Sequence, residues 1–316
     1  MKPILNKKDM KTNIDKAQKI LKNGDLVIFP TETVYGLGGN ATNNNAINKI
    51  YKIKNRPYNN PLICHFKDIE NIEKNFFLND ISYRLAKKFW PGPLTLILEK
   101  KYSSNISSNL SNQKKFVGCR IPNHPIALEL LNGIPFPIAA PSANISTKLS
   151  STKINHLSKK LKDNTFVLDG GESFYGLEST VINACNNNPK ILRLGSITLE
   201  QIKKIVPNII LENHNNFPNL SPGQQIVHYS PNLPLRINVN SVLKGEALLN
   251  FGSNNLRSEI IELNLSPTGN LEEAGKKFYD YLHILDNSHS NGIAVAPVPN
   301  HNLGKTINDR LSRATK

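Results

Sequence analysis

Through the first two-thirds of the chain, short apolar runs alternate with stretches of helical spacing, and several runs empty into loops rich in glycine, proline, hydroxyl or cationic residues. LVIF (26–29) leads into PTETVYGLG (30–38), FVGCRI (116–121) into PNHP, and PIAA (137–140) into PSANIS; LTLIL (94–98) follows the stop Trp90-Pro91-Gly92-Pro93. FVLD, STVINA and ILRL read as further strands. Between them, NNNAINKIYKI (43–53) sets Ala46, Ile47, Ile50 and Tyr51 at helical intervals, and HPIALELLN (124–132) reads as another helix. Asp80 is placed to cap a helix through Phe89, and Thr198 with Gln201 makes a capping box for TLEQIKKIV. Such alternation predicts an α/β domain built on a twisted sheet.

The pattern lapses from Glu212 to about Pro234, where ENHNNFPNLSPGQQIVHYSPNLP is polar, proline-bearing and without periodicity, as a linker is. Within it, SPGQQIVHYSP flanks Tyr229 with His228 and Ser230, more particular than a spacer requires. A smaller α/β unit follows: strand EALLNF (246–251), helix LEEAGKKFYDYLHIL (271–285), strand GIAVAPV (292–298) and helix KTINDRLSRA (305–314). The expected division is residues 1–211, a linker over 212–234, and residues 235–316; 316 residues suffice for two domains of ~150 each. No run approaches the ~18–20 apolar residues that span a bilayer, and the basic start MKPILNKKDMKTN has no continuous apolar stretch of the secretory kind. Cys64, Cys119 and Cys185 are far apart and lack CxxC spacing, which fits a reducing compartment and a cytoplasmic location. The net charge of +15 suits anionic partners, yet lysine is scattered throughout, so a nucleic-acid footprint and background composition stay open.

Four stretches carry possible chemistry. PTETVYGLG follows a strand with small hydroxyls and glycines that let a ligand approach the backbone, or is a turn with a tyrosine packed beneath it; neither GxxxxGK[ST] nor GxGxxG is present. In KNRPYNNP (54–61), Lys54 and Arg56 stand at a helix C-terminus, where cations offset the dipole by ~0.3–1 kcal/mol or grip phosphate as a point charge and a planar fork. RIPNHP and AAPSAN (139–144) lie where strands leave the sheet, the ligand-binding position in open α/β sheets. Ser142 there has no GxSxG elbow, so it reads as a binding hydroxyl rather than a nucleophile. DGGESFYGLESTVIN (169–183) repeats the arrangement. Arg193, inside the apolar strand ILRL, must meet a carboxylate or a ligand anion, and no acidic residue is evidently placed for it. Cationic and small polar loops without a triad or metal cluster describe a site that positions anionic reactants, as phosphoryl and nucleotidyl transfer require.

These motifs, in this order, resemble the YrdC-type threonylcarbamoyl-AMP synthases: PTETVYGLG, K-x-R-P with NPL and His65, FWPGPLTLIL, R-I-P-x-H-P-I-A, AAPSAN, DGG…G-L-E-S-T-V and LRLG. The SPG…HY-x-P linker and the ending NLGKTINDRLSRA resemble the long form, so the likeness covers nearly the whole chain. The resemblance implies a YrdC-like twisted mixed sheet with a concave groove, followed by a smaller Rossmann-like unit. It implies formation of L-threonylcarbamoyladenylate and pyrophosphate from L-threonine, bicarbonate or CO2, and ATP with Mg2+. The product would go to threonylcarbamoyl-transferase machinery that modifies tRNA, itself a further candidate partner. Carried over by motif, Thr33, His65, Arg120, Ala140 and Ser179 would surround threonine. Arg56, Asn60, Ser142, Ser150, Arg193 and Tyr229 would hold ATP, with Lys54, Arg56, Ser142 and Asn144 as the catalytic group and no metal held by the protein itself. Gln224 departs from the methionine usual in this linker. Two other readings stay in view, a basic module for double-stranded RNA or tRNA and a related carbamoyl-adenylate transferase.

Overall fold

The computed structural model describes residues 7–111, 115–212 and 228–315. Gln224 and most of the linker motif lie outside the described residues. Among the described residues the strands form two sheets. The larger is eleven-stranded and mixed, built from strands between Val27 and Leu211. The smaller is four-stranded and parallel throughout, built from Leu235–Arg236, Glu246–Asn250, Glu262–Asn264 and Gly292–Val295.

The first strand, Val27–Phe29, begins after helix Lys7–Lys22 is stopped at Gly24, whose φ of +77° glycine tolerates without a Cβ clash. It pairs antiparallel with Gly36–Asn40, so PTETVY is the connection of a hairpin. Alternation along the strand buries both faces. Leu26 and Ile28 join Tyr35, Ile47 and Ile50 on one side, while Val27 and Phe29 join Ile14, Leu21 and Leu130 on the other.

Strand Ile63–His65 runs parallel to Phe116–Arg120 with His65 opposite Arg120, and antiparallel to Ile138–Ala139. Cys64 and Cys119 point into the larger core. Period-two alternation therefore turns Ile63, His65 and Arg120 to the other face, beside Gly36 and Ala140. The register thus gathers residues far apart in sequence over one patch of sheet.

Helix Asn44–Lys54 is capped by the Asn43 side chain, which accepts from the Asn45 and Ala46 amides, and ends at Asn55 in the left-handed region. The Thr198–Gln201 capping box forms. The cap of helix Asp80–Phe89 is Asn79, not Asp80: its side chain accepts from the Ser82 amide, and Asp80 is the first helical residue. Helix Lys7–Lys22 escapes the sequence reading because lysines dilute it, although Ile14, Ala17 and Leu21 fall at helical spacing.

In the second unit, Leu271–Asp286 starts at Asn270, whose side chain accepts from the Glu272 and Glu273 amides, and Leu303–Ala314 closes the chain. These helices pack with the parallel sheet in a Rossmann-like arrangement. Their core joins Leu249, Phe278, Leu282, Ile307 and Leu311 to Val34, Leu149, Leu177 and Tyr229. The last four belong to the loops of the candidate site.

Candidate functional site

The loops over the sheet face enclose one cleft. Thr33, Gly36, Arg56, His65, Arg120, Ala140, Ser142, Glu178, Ser179, Arg193, His228 and Tyr229 all line it. Nine of these, from Thr33 through Tyr229 with Gly36, Glu178 and His228 set aside, are residues that the sequence singles out.

Thr33 is oriented by its neighbour: the Thr31 hydroxyl donates to the Val34 carbonyl (2.7 Å) and lies 2.8 Å from the Thr33 hydroxyl. Tyr35 ties this loop to the glycine turn at 170–171, donating to the Gly171 carbonyl (2.7 Å) and accepting from the Gly170 amide (3.0 Å). Arg120 donates through Nη1 to the Thr33 hydroxyl (2.9 Å) and through Nε to the Gly92 carbonyl (3.3 Å). Its Nη2 lies 2.7 Å from Glu32 Oε1, and both side chains are buried. That contact is not aligned as a hydrogen bond, so Nη2 and both Glu32 oxygens keep unused hydrogen-bonding capacity. His65 lies edge-on to Phe29 at 5.8 Å. Burial, then the Arg120 charge, pushes its pKa down to about 3, so the ring is neutral at ordinary pH. Its Nδ1 is buried without a partner among the described residues.

Arg56 is held by its own turn. Nε donates to the Asn60 carbonyl (3.0 Å), and Nη2 donates to Asn60 Oδ1 (2.5 Å) and the Pro61 carbonyl (2.7 Å). Burial pulls its pKa down to about 10, which still leaves a cation at neutral pH. Arg193 donates through Nη2 to the Ser179 carbonyl (2.7 Å) and hydroxyl (3.1 Å), and the same hydroxyl lies 2.7 Å from that of Thr95. The acidic residue near Arg193 is Glu178, which the sequence reading passes over. Burial alone would raise its carboxyl. Arg310 and then Arg193, with hydrogen bonds from Ser150 and Tyr279, hold it down at about 2 instead.

Four expected site residues stand outside this lining. Lys54 does not face the cleft: its buried ammonium donates to the Ser142 carbonyl (2.6 Å) and to the Asn144 carbonyl and side chain. Burial, then Arg56, pushes its pKa well down. It fastens the Ser142 loop from behind. Asn144 accepts from the Ser142 hydroxyl (2.5 Å) and donates to the Lys148 carbonyl (2.6 Å), bracing the same loop. Asn60 holds Arg56, and its own buried Nδ2 is unpartnered among the described residues. The Ser150 hydroxyl donates to Glu178 Oε1 (2.6 Å) and is fully buried.

Tyr229 closes the cleft. It is buried, adopts the left-handed region at φ 63°, and packs against the tilted ring of His228 at 3.9 Å between ring centres. A non-glycine residue there carries strain of order 1–3 kcal/mol and persists only where its surroundings hold it. The holders are a 2.8 Å bond from the Ser230 amide to the Thr147 carbonyl and the Arg310 guanidinium, 4.7 Å from the ring centre. The Tyr229 hydroxyl is buried without a partner among the described residues.

The class so defined is a two-part α/β protein with a buried cationic cleft on a mixed sheet, lined on one side by His228 and Tyr229. A family model described as "Telomere recombination" (Sua5/YciO/YrdC) matches residues 19–195, and one described as the threonylcarbamoyl-AMP synthase C-terminal domain matches 197–315. The chain belongs to the Sua5/YciO/YrdC family. It is 35% identical to the threonylcarbamoyl-AMP synthase of Bacillus subtilis, over 95% of this chain and 92% of that protein. It is 33% identical to the one from Pyrococcus abyssi, over 95% and 93%. The crystal structure of P. abyssi Sua5 complexed with L-threonine matches with a TM-score of 0.86 at 33% identity, covering 96% of this chain and 94% of that one.

Proposed function

We propose that the protein is a threonylcarbamoyl-AMP synthase that condenses L-threonine, bicarbonate or CO2, and ATP into L-threonylcarbamoyladenylate, releasing pyrophosphate. The observation that carries this reading is the convergence of an amino-acid-sized polar group (Thr33, His65, Arg120, Ser179) with two buried arginines (Arg56, Arg193) in one cleft. The threonine amine takes up CO2 as a carbamate, a carbamate oxygen attacks the α-phosphorus, and pyrophosphate leaves. No covalent nucleophile on the protein is needed.

In this reading Arg120 receives the threonine carboxylate, while Thr33, Ser179 and the neutral His65 ring bound the rest of the amino acid beside Ala140. Arg56 and Arg193 hold phosphate oxygens and offset charge as it moves toward the leaving pyrophosphate, the kind of term that outweighs others in such transfers. Ser142 contributes a hydroxyl on a loop that Lys54 and Asn144 keep in place, and Tyr229 covers the nucleotide. Ser150 and Asn60 act one layer out, through Glu178 and Arg56. Magnesium would come with the triphosphate: among the described residues no group of three or more His, Cys, Asp or Glu could hold a metal ion. Both Glu178 oxygens are already engaged, so phosphate oxygens and water would be its ligands.

The proposed working division is a catalytic unit over 1–211, a lid over 212–234 and a second unit over 235–316, in a cytoplasmic nucleotidyltransferase. Its product would pass to the transferase machinery that modifies tRNA. The test is pyrophosphate release from ATP and bicarbonate with and without L-threonine. Threonine-dependent release is expected, and none would leave an RNA-binding module as the better reading.

A further inference from the structure

We propose that the second unit completes the nucleotide site through two positioning residues, Arg310 and Tyr279, which set the Glu178 carboxylate and the Tyr229 ring in the cleft wall. The proposal rests on the reading of this cleft as an ATP site. Arg310, on helix Leu303–Ala314, is fully buried. Its Nε donates to Glu178 Oε2 (2.9 Å), its Nη2 to the Leu194 carbonyl (2.6 Å), its Nη1 pairs with Asp309, and its plane lies over Tyr229. Tyr279, on helix Leu271–Asp286, donates its hydroxyl to Glu178 Oε1 (2.7 Å), with its ring centre 6.0 Å from that of Tyr229.

The two contacts divide the work. Glu178 has its oxygens fixed by Tyr279 and Ser150 on one side and Arg310 on the other, which sets the carboxylate next to Arg193. The Tyr229 side chain is held through its ring, and its hydroxyl, unpartnered among the described residues, is left for a ligand. The backbone is clamped as well. A Cβ at Gly176, whose φ is +71°, would come 2.5 Å from the Lys276 carbonyl, so the loop entering Glu178 lies directly on the helix backbone. The His228 amide donates to the Arg313 carbonyl (3.2 Å), fixing the entry to Tyr229. Val34, Leu149 and Leu177 complete the joint by packing into the second unit's core. A mere spacer domain would need none of these contacts; a wall that must place a strained tyrosine and a saturated carboxylate needs all of them.

The experiment measures binding of a non-hydrolysable ATP analogue, together with the KM for ATP and for threonine, in full-length protein. Tyr279→Phe keeps the ring and removes one hydroxyl; Arg310→Lys keeps a cation and removes the planar fork. In Tyr279→Phe the analogue's Kd and the KM for ATP are expected to rise about threefold to tenfold, with the threonine KM within about twofold of wild type. Arg310→Lys, where it folds, is expected to exceed that. If folded Tyr279→Phe binds the analogue as tightly as wild type, or loses threonine and nucleotide equally, the second unit is packing only and the proposal is overturned. Wild-type protein that binds the analogue but shows no threonine-dependent turnover would refute the synthase reading and leave this one to be judged on binding alone. Wild-type protein that binds no analogue would overturn both.

Discussion

Replacing Arg56 by alanine separates a phosphate grip from a helix-end cation. Nε and Nη2 are bonded to the Asn60 carbonyl, Asn60 Oδ1 and the Pro61 carbonyl, while Nη1 has no hydrogen bond among the described residues. The side chain is therefore a guanidinium braced on one edge, with the other edge unbonded among the described residues and the residue itself in the cleft lining. Alanine removes the brace and the exposed edge together. Three acceptors lose a charged donor, which at net values of about 1–3 kcal/mol for such bonds makes a measurable loss of stability. Removal of a preorganised donor from a developing charge costs about 10²–10³ in rate, or about 2.7–4 kcal/mol. The assay is pyrophosphate release at saturating threonine, with ATP varied, beside a thermal melt followed by circular dichroism. The expected outcome is a kcat/KM for ATP lower by about 10²–10³ in a protein that still melts cooperatively. Arg56→Lys should fall between, because an ammonium cannot brace and grip along two edges. Near-normal turnover in a folded Arg56→Ala would return the residue to the helix-dipole role, worth only ~0.3–1 kcal/mol.

Tyr229→Phe removes a buried hydroxyl with no partner among the described residues, so the melting temperature should hold or rise while nucleotide affinity falls by about threefold to tenfold; an unchanged Kd for an ATP analogue would reduce the residue to packing. Lys54→Met should lower both stability and kcat/KM, since it orphans the Ser142 and Asn144 carbonyls behind the cleft; full activity in that variant would show that the Ser142 loop needs no such fastening. Histidine burial gives a pH signature. His65 and His228 are pushed down to about 3 and His156 to about 4, from 6.5 in each case, first by burial. The unfolded chain takes up protons below about 6.5 and the folded chain resists until about 4 or 3, so their contribution is complete above 6.5 and is lost as pH falls. Urea midpoints should accordingly drop between pH 7.5 and pH 5, and a flat profile across that range would contradict the burial of these rings.

What could be read from the sequence was local. A hydroxyl or cation within or beside an apolar run is visible in one window, and Thr33, Arg120, Ser142, Ser179 and Arg193 all announce themselves that way. Side-chain direction was not visible. Lys54 and Arg56 are two residues apart, yet the first turns its ammonium under the Ser142 loop and the second lines the cleft. Nor were partners across long separations. Arg193 looked unmatched because Glu178 reaches it through strand register, and Glu178 itself is matched by Arg310, 132 positions away. Glu32 stood inside a quoted motif, but only the folded chain brings its carboxylate to Arg120. The role of the second unit could not be read at all, because it consists of contacts between helices of one unit and loops of the other.

The most direct test of the one-cleft reading is a crystal structure with L-threonine and a non-hydrolysable ATP analogue bound together. Threonine is expected among Thr33, His65, Arg120 and Ser179, with its amine toward the α-phosphate, the phosphates on Arg56 and Arg193, and the Tyr229 hydroxyl on the nucleotide. Phosphates seated elsewhere, with Arg56 and Arg193 untouched, would contradict it.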